Sequence, residues 1–190
     1  MRVEEGFQPI PFLEENAYTE DPVLPSLLKR TIPTSIFQEI EPDLKRFGAE
    51  VVTTIRALAD SGKCFPPKLL QYDQWGRRID DLQTSEGWRE FKALAQREGF
   101  PGIFYERKYH EHSRTYGFAK MLLVVGDSNE IFCPMSMTDG SARVIELLGS
   151  PEMKKDILPR LTRYAKTSSY PLPNSSLVGI RNTHLLLGSG

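Results

Sequence analysis

The sequence predicts a mainly α fold, an antiparallel helical bundle carrying one β-hairpin near residues 68–82, and three features carry that expectation. The first is an apolar stripe at helical spacing, Leu44, Phe47, Val51, Ile55 and Leu58, closed by Gly62. The second is a run from Ser113 to Val125 that is apolar on nearly every side apart from Arg114 and Lys120, the pattern of a helix packed centrally. The third is the change of character in FPPKLLQYDQWGRRIDDLQ, where two short runs flank Asp-Gln-Trp-Gly and Gly76 can take a positive φ.

Residues 1–20 read as an extended arm, because the prolines of QPIPF fix φ and remove backbone donors. DPVLPSLLKR predicts a short helix capped by Asp21, with its prolines confined to the first turn. The long helix is placed from Pro42 to Ser61. In the hairpin, Asp73 and Gly76 are expected to make the turn, and Tyr72 and Ile79 to face the helices. Arg77 and Arg78 are expected to pair with Asp80 and Asp81 or with a neighbouring element. Ser85 is the predicted N-cap of the next helix, which puts Trp88, Phe91 and Ala95 on one face up to Gly99. After the loop GDSNEIFCP, a helix is predicted from about Asp139 to Leu148, and another restarts with Ser150 as cap and Pro151 at its first position. From Ala165 the chain is rich in Ser, Pro and Gly, and the expectation is a divergent, poorly ordered tail over 165–190 after one helical domain at 21–164.

Composition narrows the function classes. The 24 Lys and Arg against 25 Asp and Glu leave a net charge of -1, so no global field draws the chain to nucleic acid or anionic lipid. The acidic start lacks both an arginine-rich presequence and the apolar run of a secretory signal, and GFAKMLLVVG is too short to span a bilayer. The chain therefore reads as soluble and intracellular, with the cytoplasm ahead of mitochondrion or peroxisome and no membrane partner. Cys64 and Cys133, far apart and each beside an aromatic residue, make neither a disulfide framework nor a zinc site and read as buried, inert thiols.

Candidate chemistry is sparse. His110 and His112 in ERKYHEHSR would share a face on a strand, but no third ligand stands at a sensible spacing, so exposed loop histidines are the plainer reading and no metal is expected. Ser141 in DGSAR lacks the glycines of a nucleophile elbow, and no phosphate loop or dinucleotide fingerprint is present. Arg77, Arg78, Arg89, Lys92 and Arg97 lie near Trp75 and Trp88, which could suit single strands, but interspersed acids favour a solvated face. The residues alone give no catalytic constellation.

Three segments together resemble the AidB-like branch of the acyl-CoA dehydrogenase superfamily over about residues 6–164: GFQPIPFLEENAY, PPKLLQYDQWGRRIDDLQTSEGWREF, and CPMSMTDGSARVIELLGSPEMKKDILPRL. YERKYHEHSRTYGFAKMLLV fits the branch too. The resemblance implies FAD-dependent oxidation of the CH–CH bond of an acyl-CoA, with a glutamate base, a homo-oligomeric assembly, and N-terminal helices walling the acyl end of the cleft. By position it implies Ser136, Met137, Thr138 and Gly140 as substrate-lining residues, with helix initiation and core packing as the equal alternative. The family's flavin-contact motif and C-terminal domain have no counterpart after LPRLTR, so no catalytic residue is carried over. The chain alone is expected neither to retain FAD nor to catalyse, whether its tail reflects truncation, altered splicing or a misread gene model. The alternative function is a non-catalytic helical module that docks on full-length relatives. The branch's link with alkylation stress and DNA finds no support in the balanced charge.

Overall fold

The structure, a computed structural model, describes residues 13–63, 65–128 and 132–162; the tail and the first twelve residues lie outside it, as does Cys64. The described chain is helical apart from one antiparallel two-stranded sheet. Helix α1 spans Leu24–Thr31, α2 Thr34–Glu50 and α3 Arg56–Lys63, with a wide π turn over Val51–Ile55 joining the last two. Strands β1 (Lys68–Tyr72) and β2 (Arg78–Gln83) form the hairpin. Helices α4 (Glu86–Arg97), α5 (Phe100–Glu106), α6 (Ser113–Val124), α7 (Phe132–Leu148), α8 (Pro151–Asp156) and α9 (Leu158–Leu161) complete the order.

The expected caps form. Asp21 lies two residues before the N-cap, Val23, rather than at it, and its Oδ1 accepts from the backbone N–H groups of Val23 and Leu24 at 2.7 and 2.8 Å. Ser85 Oγ accepts from Trp88 N–H at 3.1 Å and Ser150 Oγ from Met153 N–H at 3.2 Å, so each start satisfies donors that lack an intrahelical acceptor.

The core is built by the predicted stripe. Leu44, Phe47, Val51 and Ile55 are fully buried, each removing apolar area worth about 1.5–3 kcal/mol. Phe100 stands edge-on to Phe47, with ring centroids 5.8 Å apart, and edge-on to Phe132 at 5.9 Å, which ties α2, α5 and α7 together. Gly48 lets α2 approach the turn at residues 16–18: a Cβ added there would stand 2.8 Å from the Tyr18 backbone nitrogen.

Several boundaries depart from the sequence expectation. The long helix begins at Thr34, eight residues before Pro42, which sits inside it. An interior proline costs about 3 kcal/mol. Phe37 and Ile40, buried before it, extend the apolar face and offset that cost. Helix α7 begins at Phe132 rather than Asp139, because Pro134 in its first turn lacks only a donor that would have no intrahelical partner. Helix α5, with Pro101 in its first turn, had no expected counterpart.

The hairpin stands as predicted, with Gly76 at φ 77° and Asp73 Oδ1 accepting from Trp75 and Arg77 N–H groups at 2.8 and 2.9 Å. Tyr72 and Ile79, however, are exposed rather than turned to the helices. Arg77 pairs with Asp73 and Arg78 with Asp80, both by exposed contacts of small energetic weight. Cys133 is exposed, contrary to the buried thiol expected, since it lies on the outer side of the first turn of α7.

Candidate functional site: an apolar groove beside a buried ion cluster

Helix α6 departs most from its expected environment. Its charged residue Lys120 is 4% exposed, while Phe118 and Leu122 on its apolar side are 52% and 56% exposed. The inversion follows from what each face meets. Inward, Lys120 Nζ lies 2.7 Å from Asp43 Oδ2 and 2.7 Å from Glu98 Oε2. Arg46 completes the cluster at 2.6 Å from Glu98 Oε2 and 2.7 Å from Asp43 Oδ1, and Tyr116 Oη donates to Asp43 Oδ2 at 2.5 Å.

With Arg97 and Glu50 at its rim, three cations stand against three carboxylates and leave the cluster neutral, which makes its burial tolerable. Burial pushes the Glu98 carboxyl up, but hydrogen bonds from Arg46 and Lys120 outweigh it and hold the group below its ordinary range. Asp43 behaves alike: burial raises it, and Lys120, Tyr116 and Arg46 bring it below. Burial and then Asp43 keep the Tyr116 phenol protonated well above its ordinary range. With every charge countered, the cluster ties α2, the end of α4 and α6 together.

Outward, α6 forms one wall of a groove of about 520 Å³. Leu24, Leu27 and Leu28 of α1 line one side, Phe118, Met121 and Leu122 of α6 the floor, and Phe132 and Ser136 of α7 the other side. Among the described residues, the polar side chains in the lining are the hydroxyls of Thr115 and Ser136. The spacing of Phe118 and Leu122 on α6 and of Val125 just after it is the signal available in the sequence for this wall.

A second concavity, of about 460 Å³, lies between α5 and α7 and is lined by Arg107, Arg114 and Arg143 with His110, Asp139 and Gly140. Its guanidiniums are engaged: Arg114 reaches both Asp139 carboxylate oxygens at 3.1 Å, and Arg107 and Arg143 both pair with Glu146. Tyr105 Oη lies 2.7 Å from the Asp139 carbonyl and 2.9 Å from its Oδ1, and burial followed by Asp139 raises its pKa above the ordinary phenol value.

The four residues expected to line a substrate separate across these environments. Ser136 is exposed and lines the apolar groove. Met137 is 38% exposed. Thr138 is fully buried and donates from Oγ1 to the Pro134 carbonyl at 2.8 Å, so it packs the core. Gly140 lines the arginine cleft, where an added Cβ would meet nothing within 4 Å. His110 and His112 sit on a 3-10 turn, and among the described residues no group of three potential metal ligands occurs. Trp88 packs partly against the core while Trp75 is 75% exposed, and Arg97 of the basic region pairs with Glu50 and Glu98. Ser141 Oγ is spent on the Met137 carbonyl at 2.8 Å. No helix among the described residues is long and apolar enough to cross a membrane.

A helical bundle of this order, with its hairpin between the third and fourth helices, is the N-terminal helical domain of acyl-CoA dehydrogenase-like proteins. The crystal structure of Caenorhabditis elegans ACDH-11 in complex with C11-CoA matches 85% of this chain at TM-score 0.75 and 28% identity, over 28% of its own chain. The apo form of Bd2924 matches 81% of this chain at TM-score 0.76 and 34% identity, over 30% of its chain. Within that class the chain belongs to the family described as the adaptive response protein AidB N-terminal domain, whose family model matches residues 7–166. The Caenorhabditis elegans protein named acyl-CoA dehydrogenase family member 11 is 29% identical over 150 residues, 77% of this chain. The chain spans 24% of the length of that relative.

Proposed function

We propose that this chain supplies the helical wall that shields the acyl end of a thioester in an FAD-dependent acyl-CoA dehydrogenase, and that it does not oxidise the substrate alone. The observation that carries this is the groove of α1, α6 and α7, aliphatic and aromatic except for two hydroxyls and containing Ser136. An acyl chain needs such a surface, because each methylene removed from water contributes about 0.8 kcal/mol. The C11-CoA complex of ACDH-11 supports the ligand class.

The same lining does not fit FAD. A flavin ring presents several hydrogen-bonding atoms and its pyrophosphate two charges, whereas the described residues of the groove offer no cation and only Thr115 and Ser136 as polar side chains. Among the described residues of that lining no side chain bears a carboxylate or imidazole able to take a proton. The groove binds, orients and excludes water.

The test is to purify the chain, add FAD, an acyl-CoA and an electron-accepting dye, and then desalt it. A colourless protein and no dye reduction are expected. Yellow protein that oxidises an acyl-CoA would overturn the proposal.

A second function, docking on a full-length relative, is favoured by a separate apolar row, Val144, Leu147 and Leu148 of α7 with Met153 and Ile157, exposed between 37% and 83%. Co-elution with such a relative in size-exclusion chromatography supports it, and separate elution counts against it.

A further inference from the structure

Among the described residues, the concavity between α5 and α7 shares no lining residue with the apolar groove. It brings together Arg107 from the end of α5, Arg114 from α6 and Arg143 from α7. The carboxylates that meet them are fewer. Arg107 and Arg143 divide the two oxygens of one carboxylate, Glu146, while Arg114 takes both oxygens of Asp139. Three guanidiniums therefore stand against two paired acids. The remaining acid of the lining, Glu111, is 86% exposed and lies 3.5 Å from His112 Nε2. Among the described residues Arg107 meets Glu146 through Nη2 and Arg143 meets it through Nη1, so most of the five N–H donors of each stay available.

Two features of the backbone belong to the same cleft. Arg107 and His110, which both line it, hold φ of 49° and 51°, a left-handed conformation that is costly for a residue with a Cβ. Arg107 ends α5 in that conformation, where glycine is usual. Gly140 shows the reverse. It stands in the interior of α7, where alanine would serve the helix better, yet an added Cβ would meet nothing within 4 Å. Packing therefore does not account for the glycine. An arginine where glycine suits the backbone supplies a cationic wall, and a glycine where alanine suits the helix leaves an open floor.

We propose that this cleft binds the phosphate group of a small phosphomonoester. Guanidiniums brought from three helices suit a tetrahedral group, whose three terminal oxygens can each take a different arginine, better than a planar carboxylate with two. Gly140 gives those oxygens room on the α7 side. The volume, about 460 Å³, exceeds what a lone phosphate fills and lies in the range of small-molecule sites, so it leaves space for the organic part of the ester. The site does not rest on the acyl-shielding role, and neither experiment bears on the other.

The test titrates the full 190-residue chain, at fixed ionic strength, with inorganic phosphate, glycerol 3-phosphate and acetate, read by calorimetry. Both phosphates are expected to bind at one site, and acetate about tenfold or more weakly, since it forgoes at least one charge-assisted hydrogen bond. Arg107→Gln and Arg143→Gln are each expected to weaken glycerol 3-phosphate by about tenfold or more for the same reason, while Arg78→Gln on the exposed hairpin leaves it unchanged. Gly140→Leu fills the floor without altering a charge, and is expected to weaken binding while melting no lower than the parent. No binding of either phosphate, refusal of glycerol 3-phosphate alone, equal affinity for acetate, a loss with Arg78→Gln as large as with Arg143→Gln, or parental binding by Gly140→Leu would each overturn the proposal.

Discussion

Replacing Lys120 by Met removes one member of a buried ion cluster and keeps the length of the side chain. Glu98 is 5% exposed and would retain Arg46 at 2.6 Å, and Asp43 would retain Arg46 and Tyr116. Breaking a buried pair from one side costs about 3–5 kcal/mol. Arg46 is 49% exposed, so its remaining contacts are partly screened yet sufficient to hold the cost near the lower end, about 3 kcal/mol. In a domain of this size each kcal/mol lowers Tm by about 2–4 °C, which puts the expected loss at roughly 6–12 °C. Thermal unfolding followed by circular dichroism reads it. Adding Glu98→Leu to Lys120→Met removes the buried carboxylate that has lost its ammonium partner and is expected to restore half or more of the loss. A single variant that melts within about 2 °C of the parent would refute the assignment of Lys120 as a paired, buried cation.

Three further outcomes follow from the same structure. Asp43 and Glu98 have folded-state pKa values below their ordinary 3.8 and 4.5, so the unfolded chain binds more protons in that window. Their contribution is complete above about pH 4.5 and lost as pH falls through the folded values, so acid titration at fixed temperature should show the parent losing more stability below about pH 4 than Lys120→Met/Glu98→Leu. Tyr18 is 1% exposed, its hydroxyl has no partner among the described residues, and burial followed by Glu41 pushes its pKa up to about 12. Tyr18→Phe is therefore expected to stabilise the chain by about 1 kcal/mol in urea denaturation, and a loss of stability would point to a partner for the hydroxyl. Gly48→Ala is expected to destabilise by about 1–3 kcal/mol in the same assay, because its Cβ would press on the Tyr18 backbone at 2.8 Å; unchanged stability would mean that the turn at residues 16–18 yields freely.

Much of the fold was legible because it is written in local signals. The stripe Leu44, Phe47, Val51, Ile55, the caps Asp21, Ser85 and Ser150, and the Asp73–Gly76 turn each express a spacing or a donor that needs an acceptor, and each stands in the structure. What misled was the weight given to proline. The sequence reading starts a helix at Pro42 and leaves Pro134 in a loop, yet one sits inside a helix held by burial on both sides and the other in a first turn where its missing donor is harmless.

The candidate site was less legible, since it depends on which face of a uniformly apolar helix turns inward. For α6 that choice is made by Asp43 and Glu98, 77 and 22 residues away from Lys120 along the chain, and no local pattern carries it. The resemblance to the AidB branch points to residues 136–140 of α7, but a stretch of five helical residues spans more than one face. Ser136 and Gly140 therefore enter different concavities while Thr138 enters the core.

The acyl-shielding role is tested most directly by methyl-resolved NMR of the chain during titration with an eleven-carbon acyl-CoA. The account predicts shifts at the methyl groups of Leu27, Met121, Leu122 and Val125, which line the groove, and none at Val144, Leu147 or Leu148 on the outer row of α7. Saturating ligand that leaves the groove methyls unmoved, or that moves the outer row instead, would contradict it.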